Sequence, residues 1–138
     1  MEIIKEEFST LSPKIDALLL PGMLEHSGKS VTIDQKIAFA LQENGEFYGG
    51  IAGSLSFENF HINGLAIDVR FRNQNYGTAL MEAIEHAAAE LGAKLMTVST
   101  LSFQALEFYE KLGYQVFGSL EDCPFKGVTK YYLYKRFD

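Results

Sequence analysis

Cysteine is nearly missing from this 138-residue chain, in which Cys123 stands alone. A single thiol builds neither an intramolecular disulfide framework nor a cysteine-based metal cluster, and such usage suits a reducing compartment. Long apolar runs are missing too, none approaching the roughly 20 residues that span a bilayer. The opening Met1-Glu2, followed by Lys5, Glu6 and Glu7, does not resemble a signal peptide. A cytoplasmic location with no membrane partner is therefore expected. Positive charge is scarce: 12 Lys and Arg against 18 Asp and Glu give a formal net charge of −6. Non-specific nucleic-acid binding depends on neutralising phosphates with basic residues, so no nucleic-acid partner is expected and a cationic substrate is favoured. His26 and His86 have no partner at ligand spacing, and no metal site is expected. No repeat, low-complexity tract or linker divides the chain, so residues 1–138 read as a single domain with one core.

What the chain does have is clear hydrophobic periodicity. Tyr76, Ala79, Leu80, Ala83, Ile84, Ala87 and Leu91 recur at helical spacing, with Glu82, Glu85, His86 and Glu90 on the opposite face and Gly92 as the stop. Just before this helix, Arg72-Asn73-Gln74-Asn75 gathers turn formers, and Gly77, Thr78 and Ala79 follow around its first unpaired amides. Such a terminus invites an anion. His61 to Val69 reads as the strand leading in. A period of two places His61, Asn63, Leu65, Ile67 and Val69 on one face and turns Asp68 to the other, as a surface or loop-holding residue. Lys94 to Ser99 reads as the strand leading out, and a helix of this length serves as the crossover between parallel strands. The result is a right-handed β-α-β unit with its anion site at the carboxyl end of the first strand, where Arg70 and Arg72 offer local positive charge.

Met1 to Phe8 reads as an edge strand. Leu11 to Leu20 reads as a helix with Pro13 in its first turn and Pro21-Gly22 as its end, and Met23 to Ser30 as a loop or single turn. Lys36 to Leu41 and Glu46 to Phe57 form two strands joined at Asn44-Gly45, the pair best suited to a type I′ hairpin. Phe47, Ile51, Leu55 and Phe57 share a face of the second strand, and Gly49, Gly50 and Gly53 are ascribed to sheet geometry. Phe103 to Leu112 reads as a helix stopped by Gly113, with Tyr114 to Leu120 and Thr129 to Phe137 as closing strands. Tyr131, Tyr132 and Tyr134 make the last strand aromatic on both faces, read here as burial in preference to a subunit contact.

Two blocks carry a family resemblance. Arg72-x-x-Asn75-x-Gly77 resembles the Arg/Gln-x-x-Gly-x-Gly/Ala loop that holds the acetyl-CoA pyrophosphate in GNAT-superfamily N-acetyltransferases. Thr100-x-Ser102-Phe103-Gln104-Ala105-x-x-Phe108-Tyr109-x-Lys111-Leu112-Gly113-Tyr114 resembles the same family's later helix, which carries a tyrosine and ends in Leu-Gly-Tyr/Phe. The two blocks come in the family's order, within residues 61 to 114. Asn75 departs from the family's first glycine, and Asn is the non-glycine residue that most readily visits the left-handed region.

The resemblance implies an α/β (α+β) fold: a mixed, mostly antiparallel sheet of six to seven strands flanked by helices, with a central β-α-β unit that binds acetyl-CoA. It implies an acetyl-CoA-dependent N-acetyltransferase acting directly on a primary amine of a small molecule or peptide. The cofactor site would comprise Arg72 and the amides from Asn75 through Tyr76, Gly77, Thr78 and Ala79, with the Thr78 hydroxyl as a further donor. The backbone of Ile67, Asp68 and Val69 would pair with the pantetheine arm. Tyr109 matches the family's tyrosine near the thioester sulfur and is the candidate general acid. His61 is the nearest candidate base, in a strand where some members carry a Glu for this work; Glu58 and Glu25 rank below it. Acceptor specificity would lie in residues 21–31 and the closing strands, and a homodimer is compatible with the pattern. A non-catalytic acyl-CoA-binding or interaction module with the same fold stays open as the alternative.

Overall fold

The computed structural model describes residues 1–28 and 34–137, and the chain separates into two compact units, residues 1–33 and 34–138. In the first unit Met1 to Glu7 forms no strand, contrary to expectation: a run holding Lys5, Glu6 and Glu7 offers no alternating apolar face to bury. Helix α1, Phe8–Ser27, then runs through both Pro13 and Pro21. Each proline forfeits one backbone hydrogen bond, a cost of about 3 kcal/mol in a helix interior, yet the ladder resumes on either side. The stop is Gly28, left-handed at φ 73°, and not Pro21-Gly22. Residues 23–27, expected as a loop or a single helical turn, therefore continue the long helix, while the end of that segment lies outside the described residues.

The second unit is a six-stranded sheet in the order β1-β2-β3-β4-β6-β5, formed by β1 (Gln35–Glu43), β2 (Glu46–Ser56), β3 (Asn59–Ile67), β4 (Leu95–Leu101), β5 (Gln115–Glu121) and β6 (Thr129–Arg136). Only β3 and β4 run parallel, and helix α2, Tyr76–Glu90, makes the crossover between them. Asn44 and Gly45 turn the first hairpin with φ of 51° and 79°, the double positive φ that a type I′ turn demands. Helix α3, Leu106–Lys111, is shorter than its sequence pattern. Side chains hold the turn before it instead: the Leu101 N–H donates to Gln104 Oε1 at 2.9 Å and the Ala105 N–H to Thr100 Oγ1 at 3.2 Å.

The core lies between α2 and one sheet face, where Phe60, Met81, Ile84, Met96 and Leu133 are fully enclosed. Helix α2 buries Leu80, Met81, Ile84 and Ala88, whereas Ala79 and Leu91 are exposed, so its apolar stripe is rotated from the periodic one. Phe47 is also exposed, and Phe57 sits at φ 55° in the turn after β2. A Cβ at Gly53 would strike the Phe60 ring and the His61 carbonyl, so glycine is required there by close packing within the sheet. The largest departure from simple alternation is in β3. Gly53 pairs with Ile62 and Ala52 with Gly64, which leaves Asn63 as an unpaired bulge residue. Phe60 and Ile62 point into the core before it, Leu65 and Ile67 pack against the core after it, and His61 and Asn63 stay exposed. The expected common face from His61 to Val69 is thus broken by one inserted residue, and Val69 belongs to a 3-10 turn, Val69–Phe71.

Candidate active site

Strands β3 and β4 pair only from Asn59 with Leu95 to His61 with Thr97. Both continue past that point, to Ile67 and Leu101, without pairing to each other, and the sheet opens between them. At the carboxyl end of β3 the Asp68 N–H donates to the Tyr48 carbonyl at 2.7 Å. Neighbouring residues of an antiparallel strand alternate in the side to which they bond, so the Ile67 backbone turns toward the opening. Its carbonyl accepts from Arg72 Nε at 2.9 Å. Asp68 itself holds the loop: its carboxylate takes the Arg70 backbone N–H and the Nε and Nη2 donors on one edge of the Arg70 guanidinium at 2.9–3.1 Å. That pairing keeps the Asp68 carboxyl below the usual range. Arg70, expected with Arg72 to offer positive charge beside the helix start, is committed to Asp68 and stacked over Tyr48 and Phe71, whereas Arg72 makes no ion pair among the described residues.

Asn75 takes the left-handed conformation, φ 65° and ψ 13°, that glycine would supply. The first backbone bond of α2 runs from Ala79 N–H to the Asn75 carbonyl at 3.1 Å, and the side chain of Asn75 makes no cap. The amides of Tyr76, Gly77 and Thr78 thus have no acceptor among the described residues, and the helix dipole adds partial positive charge at the same point. Gly77 meets a second demand, since a Cβ there would lie 3.3 Å from two carbons of the Phe108 ring. The helix start and α3 are in contact through this residue.

Tyr109 follows Phe108 on α3 and is 4% exposed, its ring edge-on to Phe108 and to Tyr114. Burial pushes its hydroxyl up to about 12. That hydroxyl makes no hydrogen bond among the described residues, yet no enclosed side-chain oxygen there lacks a partner, so the oxygen reaches an open surface. Tyr114 is engaged differently, donating to Glu85 Oε2 at 2.7 Å. Lys135 Nζ reaches both oxygens of Glu85 at 3.2 Å, joining α2, the start of β5 and β6. Burial and the Glu85 carboxylate raise the Tyr114 hydroxyl far above its ordinary value. The periodicity of α2 places Glu85 on its polar face, and no local pattern marks a partner 29 or 50 residues away.

His61 lies on the sheet face opposite the core, with Nδ1 2.9 Å from Thr97 Oγ1. The Thr97 hydroxyl donates onward to Asn59 Oδ1 at 3.2 Å, and neither Thr97 nor Asn59 was marked by the sequence. Partial burial, with the field of Lys130, holds the imidazole below its usual pKa. Lys130 Nζ sits 5.3 Å above the Tyr132 ring, and Tyr132 and Tyr134 contact the exposed Phe117, while Tyr131 packs against the core. Of the lower-ranked bases, Glu58 is in the turn before β3 and Glu25 is in α1, which belongs to the first unit. His86 pairs with Glu90, and no group of three or more His, Cys, Asp or Glu side chains comes together among the described residues.

The sequence profile of the Acetyltransferase (GNAT) family matches residues 3–114. A blasticidin-S acetyltransferase of Streptomyces morookaense is 34% identical over 125 residues, 90% of this chain and 88% of its own. The crystal structure of an acetyltransferase from Bacillus cereus ATCC 14579 superposes with a TM-score of 0.86 at 29% identity, covering 99% of both chains. An aminoglycoside 6'-N-acetyltransferase solved with coenzyme A superposes with a TM-score of 0.65 at 19% identity, over 99% of this chain and 97% of that one, a likeness of fold. No helix among the described residues is long and apolar enough to cross a membrane. A family profile that spans most of the chain, together with a relative sharing a third of its residues, shows that this chain belongs to the GNAT acetyltransferase family and is an acetyl-CoA-dependent acetyltransferase.

Proposed function

We propose that this protein acetylates a primary amine of a small cationic molecule, and that amine-bearing antibiotics are the acceptor class to test first. The observation that carries the reading is the parting of β3 from β4 just past His61 and Thr97, beside a helix terminus whose first amides are bare. Acetyl-CoA, when bound, supplies an activated acetyl thioester. The residues fit it: the amides of Tyr76, Gly77 and Thr78, the Thr78 hydroxyl and Arg72 would hold the pyrophosphate at the positive end of α2. Ile67 and Val69 would offer backbone to the pantetheine arm, whereas the Asp68 amide is taken by Tyr48.

Two groups then handle protons. Tyr109 keeps its O–H throughout the neutral range because burial disfavours the phenolate, and its open oxygen can give that proton to the leaving sulfur. His61 is largely neutral at pH 7, and its Nε2 can take the proton that the attacking amine must lose. Both transfers use atoms with no competing partner among the described residues.

Three observations support a small acceptor. A cavity of about 450 Å³ lined by Lys36, Ala38, Ala52, Ser54 and Asn63 opens next to Ser54, the strand partner of His61, and falls within the small-molecule range. The net charge of −6 attracts cations. The relatives named above include one for blasticidin S and a structural neighbour for aminoglycosides. A thiol-release assay with acetyl-CoA should show turnover with at least one cationic antibiotic in a panel that also holds polyamines, amino acids and peptides. Turnover confined to peptides would overturn the small-molecule reading. Binding of acetyl-CoA with no turnover on any amine would favour the non-catalytic module.

A further inference from the structure

We infer that Thr97 and Asn59 are positioning residues that fix His61 as the Nδ1–H tautomer and leave Nε2 as its basic nitrogen. The inference rests on the reading of His61 as the base and adds what sets the state of its ring. A neutral imidazole carries one N–H, and either nitrogen can hold it. A threonine hydroxyl likewise has one proton to give. Thr97 spends that proton on Asn59 Oδ1, at 3.2 Å, so the oxygen presents only lone pairs to the imidazole nitrogen 2.9 Å away. The nitrogen meeting a lone pair at that distance must carry the hydrogen. Nδ1 is therefore the N–H of the ring, and Nε2, which has no partner among the described residues, holds the free lone pair.

The backbone explains why these three groups meet. Asn59 and His61 are two residues apart on β3 and so share a face. Thr97 is the strand partner of His61 on β4, and His61–Thr97 is the last pair before the two strands part. The relay thus sits at the mouth of the opening, on its closed side. Ser54 on β2 stands opposite His61 on the other flank, and Lys130 from β6 is the charged group whose field reaches the ring. Solvated imidazole favours the Nε2–H form, in which the exposed nitrogen cannot accept a proton. An unassisted histidine here would be mostly in the wrong state for a base.

The test is nitrogen-15 NMR of the histidine rings in the full chain, at a pH where His61 is neutral, with no acetyl-CoA added. Wild type should show His61 protonated at Nδ1, and Thr97→Val, which keeps the shape but cannot accept, should move the ring toward Nε2–H. Thr97→Ser should restore the wild-type pattern. Asn59→Asp can only accept, so it should leave the tautomer unchanged. If the amide instead drives the chain by donating to Thr97, wild type will be Nε2–H and Asn59→Asp will reverse it. That result, or an unaltered tautomer in Thr97→Val, overturns the inference. With an acceptor in hand, kcat of Thr97→Val should fall about three- to tenfold, in step with the lost fraction of competent tautomer, and return in Thr97→Ser. A wild-type rate in His61→Ala alongside the expected spectra would defeat the assignment of His61 as base while the tautomer lock stands.

Discussion

Replacing Tyr109 with phenylalanine removes one oxygen and leaves the ring in its packing against Phe108 and Tyr114. The deleted hydroxyl makes no hydrogen bond among the described residues, so no partner is stranded, and stability at pH 8 should change by less than about 1 kcal/mol. The rate should respond far more. A positioned acid is worth about 10²- to 10⁴-fold, so kcat in a thiol-release assay should drop by that factor with little change in the KM for acetyl-CoA. The pKa gives an independent check. With the folded-state value raised to about 12, against about 10 for an unfolded tyrosine, the native chain keeps a proton that the unfolded chain gives up. Stability from this group is complete below pH 10 and is lost as pH rises toward 12. Integrated to pH 11.5, the loss is about 2 kcal/mol, and Tyr109→Phe should escape it. Tyr114 titrates abnormally in both proteins, chiefly from burial and the Glu85 carboxylate and least from Tyr109, so urea denaturation of the pair at pH 8 and pH 11.5 reports mainly on Tyr109. Wild-type turnover in the variant would move the proton's source elsewhere. An identical alkaline loss in both proteins would refute burial of the ring as the cause of the raised value.

The bare helix start predicts that acetyl-CoA at a hundredfold excess over Kd stabilises the fold by about 2.7 kcal/mol, measured as a rise in Tm, with a smaller rise from ATP. Equal shifts would indicate a site for phosphates in general. Gly77→Glu should abolish acetyl-CoA binding in calorimetry, because its carboxylate enters the phosphate space and its Cβ presses on Phe108; normal binding by a folded variant would misplace the pyrophosphate. Arg72→Ala should weaken acetyl-CoA binding more than Arg70→Ala, since Arg70 is already paired with Asp68; the reverse order in the same titration would contradict the geometry. The acidic limb of the kcat/KM profile should have its midpoint below pH 6.5, and Lys130→Gln should move it upward by removing one of the two causes of the depression; an unmoved limb would show that His61 does not set it.

Features set by neighbours in the chain were legible in the sequence. Asn44-Gly45 announces its hairpin because two adjacent residues alone can satisfy a type I′ turn, and Asn75 was readable as a stand-in for glycine because left-handed φ is a property of one residue. The Arg72 to Ala79 loop and Tyr109 are proposed on similar terms, from short motifs at fixed spacing that carry the family resemblance. What escaped depends on partners far along the chain. The face of α2 that is buried is chosen by the sheet beneath it, which is why Met81 and Ala88 were missed and Leu91 overvalued. Glu85 looked like solvent charge because Tyr114 and Lys135 come to it only through the fold. His61 was singled out, but Thr97 and Asn59 were not, since the meeting of one residue with another 36 or 38 positions away is a matter of strand register. In α1 the usual inference from Pro21-Gly22 failed because a proline weakens a helix at one rung and need not end it.

The single unpaired residue in β3 makes chain length itself part of the chemistry. Strand positions before Asn63 and after it are counted in two different frames of odd and even, and the bulge is where one frame hands over to the other. Deleting Asn63 would merge them into one. Either Leu65 and Ile67 would then be thrown to the exposed face, or Phe60 and Ile62 would leave the core and drag His61 into it. A deletion that costs one polar side chain by composition would thus exchange the interior and exterior of half a strand, and relatives that lack this residue should carry their proton acceptor on a position of opposite parity.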